Sequence, residues 1–104
     1  MACSMLDMYD ATGELPIWPL ASGETRTMIG YHAASVIADA WMKGIRGYDG
    51  MQALEAMVRS SNINAKGSDD YVANGFIPSE NTRESVSCTL EYAYDDWAIA
   101  RMAE

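Results

Sequence analysis

Asp95 and Asp96 are the first residues to weigh, because two carboxylates at one site can serve as general acid and general base. They stand in the run ESVSCTLEYAYDDW, Glu84 to Trp97, which reads as helix. Adjacent helical residues diverge by about 100°, so the two do not face one reacting bond. Hydrogen bonds between packed helices are the better assignment for both. Asp95 shares a narrow polar strip with Glu84, Ser87 and Glu91. Single carboxylates at that spacing can attract a cation, but more often form a solvated or hydrogen-bonded face. His32 is the only histidine, which excludes a multi-histidine metal centre and leaves a Ser–His–Asp triad poorly supported. A structural hydrogen bond is the plainer role for it. Trp18 stands between Pro16 and Pro19, where a tryptophan usually pins its loop to the body. Glu24 and Thr25 precede an expected helix start and read as capping groups. No glycine pattern cradles phosphate, and the eight methionines suit adaptable packing.

The elements that must position these residues are helices. Cys3 to Asp10 reads as the end of one, with Gly13 as its stop. A loop follows from Ala11 to Arg26, because Pro16 and Pro19 exclude regular helix. Helix is expected again from Thr27 to Lys43, ended by Gly44. Asp49 is a good N-cap, and Gln52 three residues on makes a capping box for a helix over Gly50–Ser60. That helix carries an apolar stripe of Met51, Leu54, Met57 and Val58, with Glu55 and Arg59 spaced to pair. A second long connection, Ser61 to Arg83, holds a short helical turn around Asp69–Ala73. The last helix spans Glu84–Met102.

On a helical wheel the last helix has two apolar arcs. Val86, Leu90, Ala93, Trp97 and Ala100 form one, and Cys88, Tyr92 and Ile99 the other. The second helix is similar, with Ala34, Ile37 and Trp41 opposed to His32 and Val36. Both therefore read as interior helices, and the Gly50 helix as peripheral. The expected fold is all-α, with about four helices alternating in direction and both long loops at one end. Long loops gathered at one end of a scaffold are a natural place for a site.

Bulk properties narrow the class. A chain of 104 residues, 49% hydrophobic and 21% charged, is one globular domain or part of one. A net charge of −8 argues against nucleic acid or an anionic membrane as partner. No apolar run reaches the length of a membrane span, and the first residues lack the pattern of a signal peptide. Two cysteines are too few for a disulfide scaffold. Cys88 reads as a small buried residue, and a Cys3–Cys88 bridge is left open. Met1 opens almost directly onto a helical pattern, which fits the start of a fragment.

Four stretches in order, LPIW (Leu15–Trp18), MIGYHAASVIADA (Met28–Ala40), KGI (Lys43–Ile45) and TLEYAYDDW (Thr89–Trp97), resemble the catalytic domain of glycoside hydrolase family 92. The resemblance covers nearly the whole chain, from about Met5 to Ala103. It implies that residues 1–104 are a fragment of an (α/α)6-barrel catalytic domain, a partial toroid of inner and outer helices. The implied parent is a calcium-dependent, inverting exo-α-mannosidase, secreted or periplasmic, acting on mannose-containing glycans.

An inverting glycosidase needs one carboxylic acid to protonate the leaving oxygen and a second carboxylate to activate water. In the family pattern the catalytic carboxylates and the calcium ligands lie in motifs C-terminal to TLEYAYDDW. No catalytic role and no metal or cofactor ligand therefore falls on a residue of this chain, and the isolated chain is expected to be inactive. What it can contribute is sugar contact, with Trp18 as a stacking platform and Glu24, Thr25 and His32 as candidate substrate-binding groups. Apolar faces left by cutting such a slice would drive homo-oligomer formation. The alternative is a stand-alone, non-catalytic helical module that self-associates or binds a protein.

Overall fold

A computed structural model describes residues 1–63 and 66–104. Among them are five α-helices and one small ribbon: α1 (Ala2–Thr12), β1 (Pro19–Leu20), β2 (Gly23–Glu24), α2 (Ala33–Met42), α3 (Gly50–Ser61), α4 (Ser68–Asn74) and α5 (Ser85–Ala103). The all-α class is as expected. The count of helices exceeds four because the short turn foreseen near Asp69 is a helix of its own.

Local chemistry explains most of the boundaries. Gly13 takes the left-handed conformation (φ 79°) and its N–H closes α1 on the Tyr9 carbonyl. The Asp49 carboxylate accepts from the Met51 and Gln52 N–H groups and starts α3. Gln52 does not complete a capping box. Its amide donates to Asp10 at 2.7 Å and ties α3 to α1.

The second helix is shorter than the expected Thr27–Lys43. Gly30 (φ 73°) turns the backbone out of helical geometry, and the Tyr31 N–H is taken by the Asp95 carboxylate at 2.7 Å. Glu24 and Thr25 therefore cap no helix. They belong to a ribbon that the two prolines concealed, in which Pro19 pairs with Glu24 and Leu20 with Gly23. Strands of two residues carry no periodicity to read, and Pro19 is tolerated because the ribbon is all edge.

On α3 the buried face is Ala53, Ala56, Met57 and Ser60. Met51 and Val58 are exposed, so of the expected stripe only Met57 is fully buried. Small residues set this face because α3 packs closely on α5 and α2. Among the described residues Glu55 and Arg59 form no ion pair with each other.

The core lies between α2 and α5, where Ile37, Cys88 and Asp95 are fully buried beside Met57 of α3. Cys3 is exposed and Cys88 buried, both as free thiols, so the bridge left open above does not form. α5 buries the arc of Cys88, Tyr92 and Ile99 and leaves Val86, Leu90 and Trp97 in the open. The body is a slab of 43 × 35 × 17 Å, between one and two helix diameters thick at about 10–12 Å each. Among the described residues no helix is long and apolar enough to cross a membrane.

Candidate functional site

The two long connections do come together. Lys66, in the second, donates from Nζ to the Thr27 carbonyl in the first at 2.6 Å. The Tyr92 hydroxyl of α5 reaches the Lys66 carbonyl at 3.5 Å. The candidate residues fall into two groups beside this junction.

The first group is the β1–β2 ribbon, organised by Glu24. Its carboxylate accepts from the backbone N–H of Ile17 (2.8 Å), Trp18 (2.8 Å) and Arg26 (2.7 Å). Thr25 closes the other side, its hydroxyl donating to the Trp18 carbonyl at 2.7 Å. Arg26 pairs with Glu14 at 2.5 Å, and both Ala21 (φ 53°) and Arg26 (φ 50°) hold strained left-handed conformations. Trp18 thus has both backbone groups fixed while its side chain is 45% exposed. Glu24 and Thr25 spend their polar atoms on this frame, and Trp18 is the member of the trio with a face to offer.

Partial burial works to raise the Glu24 pKa, but backbone N–H bonds from Arg26, Trp18 and Ile17 outweigh it and bring the pKa below 4.5. A depressed carboxyl contributes stability that is fully present above its unfolded value and lost as pH falls through its folded value. The ribbon should therefore loosen below about pH 4.5 before the helices do. Trp18 emission in a protein with Trp41 and Trp97 replaced by Phe would report it. Co-melting of Trp18 emission with helical circular dichroism would contradict the role given to Glu24.

The second group joins α2 to α5. Asp95, fully buried, accepts from the Tyr31 N–H at 2.7 Å through Oδ2 and meets His32 Nδ1 at 2.9 Å through Oδ1. Asp96 faces elsewhere, accepting from the Tyr31 hydroxyl at 2.6 Å and the Tyr71 hydroxyl at 3.3 Å. The Tyr31, Tyr71 and Tyr92 rings pack on one another, with Tyr31 stacked on Tyr92 at 5.4 Å and Tyr71 edge-on at 5.6 Å. The neighbouring aspartates thus divide one task, fixing the Tyr31–His32 dipeptide by backbone, ring and hydroxyl. With both oxygens of each engaged, neither acts here as an acid–base partner of the other.

Burial raises the Asp95 pKa, and the bonds from His32 and Tyr31 only partly offset it. Burial and then the Asp96 carboxylate push the Tyr31 hydroxyl far above its ordinary value, so it stays a donor. Burial lifts Tyr92 to about 12. His32 is not within a helix; it precedes α2 as its N-cap residue. Its side chain is 43% exposed, and Nε2 lies 3.5 Å from Oε2 of Glu91, itself 40% exposed. Among the described residues no three His, Cys, Asp or Glu side chains are grouped so as to hold a metal ion.

The structure brings Trp18, Glu24 and Thr25 together and sets His32 apart with Asp95 and Glu91. Gly30, Tyr31 and Tyr71 were not singled out from the sequence. The i, i+4 spacing of Glu91 and Asp95 places both on one face of α5, which was legible, but only the α2–α5 packing shows that His32 lies against it.

The fold is shared with known proteins. The chain superposes on a family GH92 α-mannosidase from Bacteroides thetaiotaomicron (BT3965) with a TM-score of 0.91 and 46% identity, over 99% of this chain and 14% of that one. The family GH92 inverting mannosidase BT2199 from the same organism gives a TM-score of 0.90 and 36% identity, over 99% and 15%. A protein of Arthroderma benhamiae described as an uncharacterized secreted glycosidase is 30% identical over 112 residues, 91% of this chain and 14% of its own. The chain spans about one seventh of these relatives, 14% of the first. The sequence model of the glycosyl hydrolase family 92 catalytic domain matches residues 1–104, and the chain belongs to that family.

Proposed function

We propose that the chain is a scaffold segment of an exo-acting α-mannosidase that removes α-linked mannose from the ends of oligosaccharides, with calcium and with inversion. The observation that carries this reading is the 46% identity and 0.91 TM-score to an α-mannosidase over 99% of the chain. The segment supplies helix packing, the pinned ribbon and the His32 cluster. The acid, the base and the calcium ligands belong to other parts of the catalytic domain. The family match over the whole chain favours this reading over a stand-alone interaction module.

The test is an assay of the full-length enzyme that carries this segment, against α-mannosides, β-mannosides and α-glucosides. Release of mannose from α-mannosides alone is expected, lost with a chelator and restored by calcium, with proton NMR showing the β-anomer as first product. Failure on every α-mannoside would overturn the reading. Activity with retention, or activity indifferent to chelation, would overturn its finer parts. The isolated 104-residue chain should be inactive and should self-associate through Val86, Leu90 and Trp97, which are exposed on α5. Sedimentation showing a monomer at high concentration would count against the slice.

A further inference from the structure

We propose that His32 Nε2 and Glu91 Oε2 form a paired acceptor for two neighbouring hydroxyls of a sugar ring, with Asp95 as the positioning residue that makes Nε2 the accepting nitrogen. The identity of the ligand rests on the glycosidase reading; the geometry stands by itself. Asp95 Oδ1 lies 2.9 Å from Nδ1, and an ionised carboxylate can only accept, so Nδ1 carries the proton. In the neutral ring the lone pair is then on Nε2.

The ring cannot easily turn away. Asp95 is held at its other oxygen by the Tyr31 N–H at 2.7 Å. Gly30 lies against both partners so closely that a Cβ there would sit 2.6 Å from His32 Cε1, 2.9 Å from Nε2 and 2.9 Å from Asp95 Oδ2. Imidazole and carboxylate are thus seated on a backbone that leaves one orientation.

What this seating presents is unusual for a purely structural histidine. Nε2 and Glu91 Oε2 face each other at 3.5 Å, both on half-exposed side chains. With the proton on Nδ1 they are two acceptors side by side, both open to solvent and so to a ligand's donors. Vicinal hydroxyls bring two O–H donors side by side, one for each acceptor. A structural role would need only the Asp95 side of the ring, whereas this pair places its open acceptors outward.

Two measurements test it. First, nitrogen-15 NMR of the full-length enzyme that carries this segment, with the His32 signals assigned by their loss in His32→Gln, reads the ring directly. In the neutral ring the proton is expected on Nδ1; a neutral ring protonated on Nε2 would overturn the proposal. Second, titration calorimetry and steady-state kinetics of the full-length enzyme use methyl α-mannoside and the corresponding aryl mannoside. His32→Ala, which removes an acceptor, and Glu91→Gln, which removes the charge that strengthens one, should each weaken binding and raise KM by roughly tenfold, with a smaller change in kcat. Asp95→Asn should shift the nitrogen-15 pattern as well as KM.

Should His32→Ala not fold, His32→Gln and Glu91→Gln, the latter on a half-exposed side chain, carry the test. An active enzyme whose affinity and KM are unchanged by both Glu91→Gln and the His32 variant overturns this proposal and leaves the mannosidase reading intact. An enzyme that hydrolyses no mannoside but binds the glycoside in a His32-dependent way does the reverse. Absence of any glycoside binding overturns both.

Discussion

Asp95→Ala is expected to cost roughly 2–4 kcal/mol of stability, a large share of the 5–15 kcal/mol typical of a domain. The carboxylate is fully buried and joins helices that are distant in sequence, through the Tyr31 N–H at 2.7 Å and His32 at 2.9 Å. Alanine leaves that N–H without a partner and opens a space where α2 meets α5. Removing a buried charge gives back part of its desolvation cost, which is why the loss is not larger. Asp95→Asn separates the two effects. Its amide oxygen still accepts from Tyr31 without a charge to bury, so a loss of only about 1 kcal/mol is expected.

The pH dependence has a definite sign. Burial holds the Asp95 pKa above 3.8, so its contribution to stability is fully present below that value and declines as pH rises through the folded-state pKa. Asparagine has no such slope, and Asp95→Asn should therefore gain on the natural protein as pH rises from acid. Urea unfolding across that range checks both statements. An alanine variant as stable as the asparagine one would show that the Tyr31 bond contributes little.

Gly30→Ala is the second large effect, at about 3 kcal/mol. Two costs combine in it. Gly30 holds φ 73°, where a non-glycine residue is strained by about 1–2 kcal/mol. Its new Cβ would also press on His32 Cε1 at 2.6 Å and on Asp95 Oδ2 at 2.9 Å, and crowding of this kind costs about 1–3 kcal/mol. Gly75→Ala is the control, since Gly75 has φ 78° but a methyl group added there would meet nothing within 4 Å. It should lose the conformational part alone, about 1 kcal/mol. Equal losses at the two glycines, measured by urea unfolding, would mean that the His32–Asp95 seat yields without resistance.

Much of the scaffold was legible because its signals are local. Gly13 as a stop, Asp49 as a cap and the long apolar pattern of α5 each declare an element from a few neighbouring residues. The ribbon was hidden because its order comes from the Glu24 carboxylate gathering three N–H groups, and hydrogen bonding of that kind leaves no periodic trace. The start of α2 was misplaced for a related reason. Apolar residues at Met28 and Ile29 continue the helical pattern backwards, whereas the decisive bond comes from Asp95, far along the chain. The candidate site divides in the same way. His32 and Asp95 stood out singly, but Glu91 and Gly30 gain meaning only when α2 and α5 are packed.

A segment exchange tests most directly whether residues 1–104 take their place in a family 92 catalytic domain. The matching segment of the α-mannosidase BT3965, to which this chain is 46% identical, would be replaced by this sequence, and the product assayed on an α-mannoside. A folded enzyme that keeps substantial α-mannosidase activity, and loses affinity for mannoside on Glu91→Gln within the exchanged segment, is the expected result. A folded but inactive exchange product would contradict the assignment of this segment to a working mannosidase.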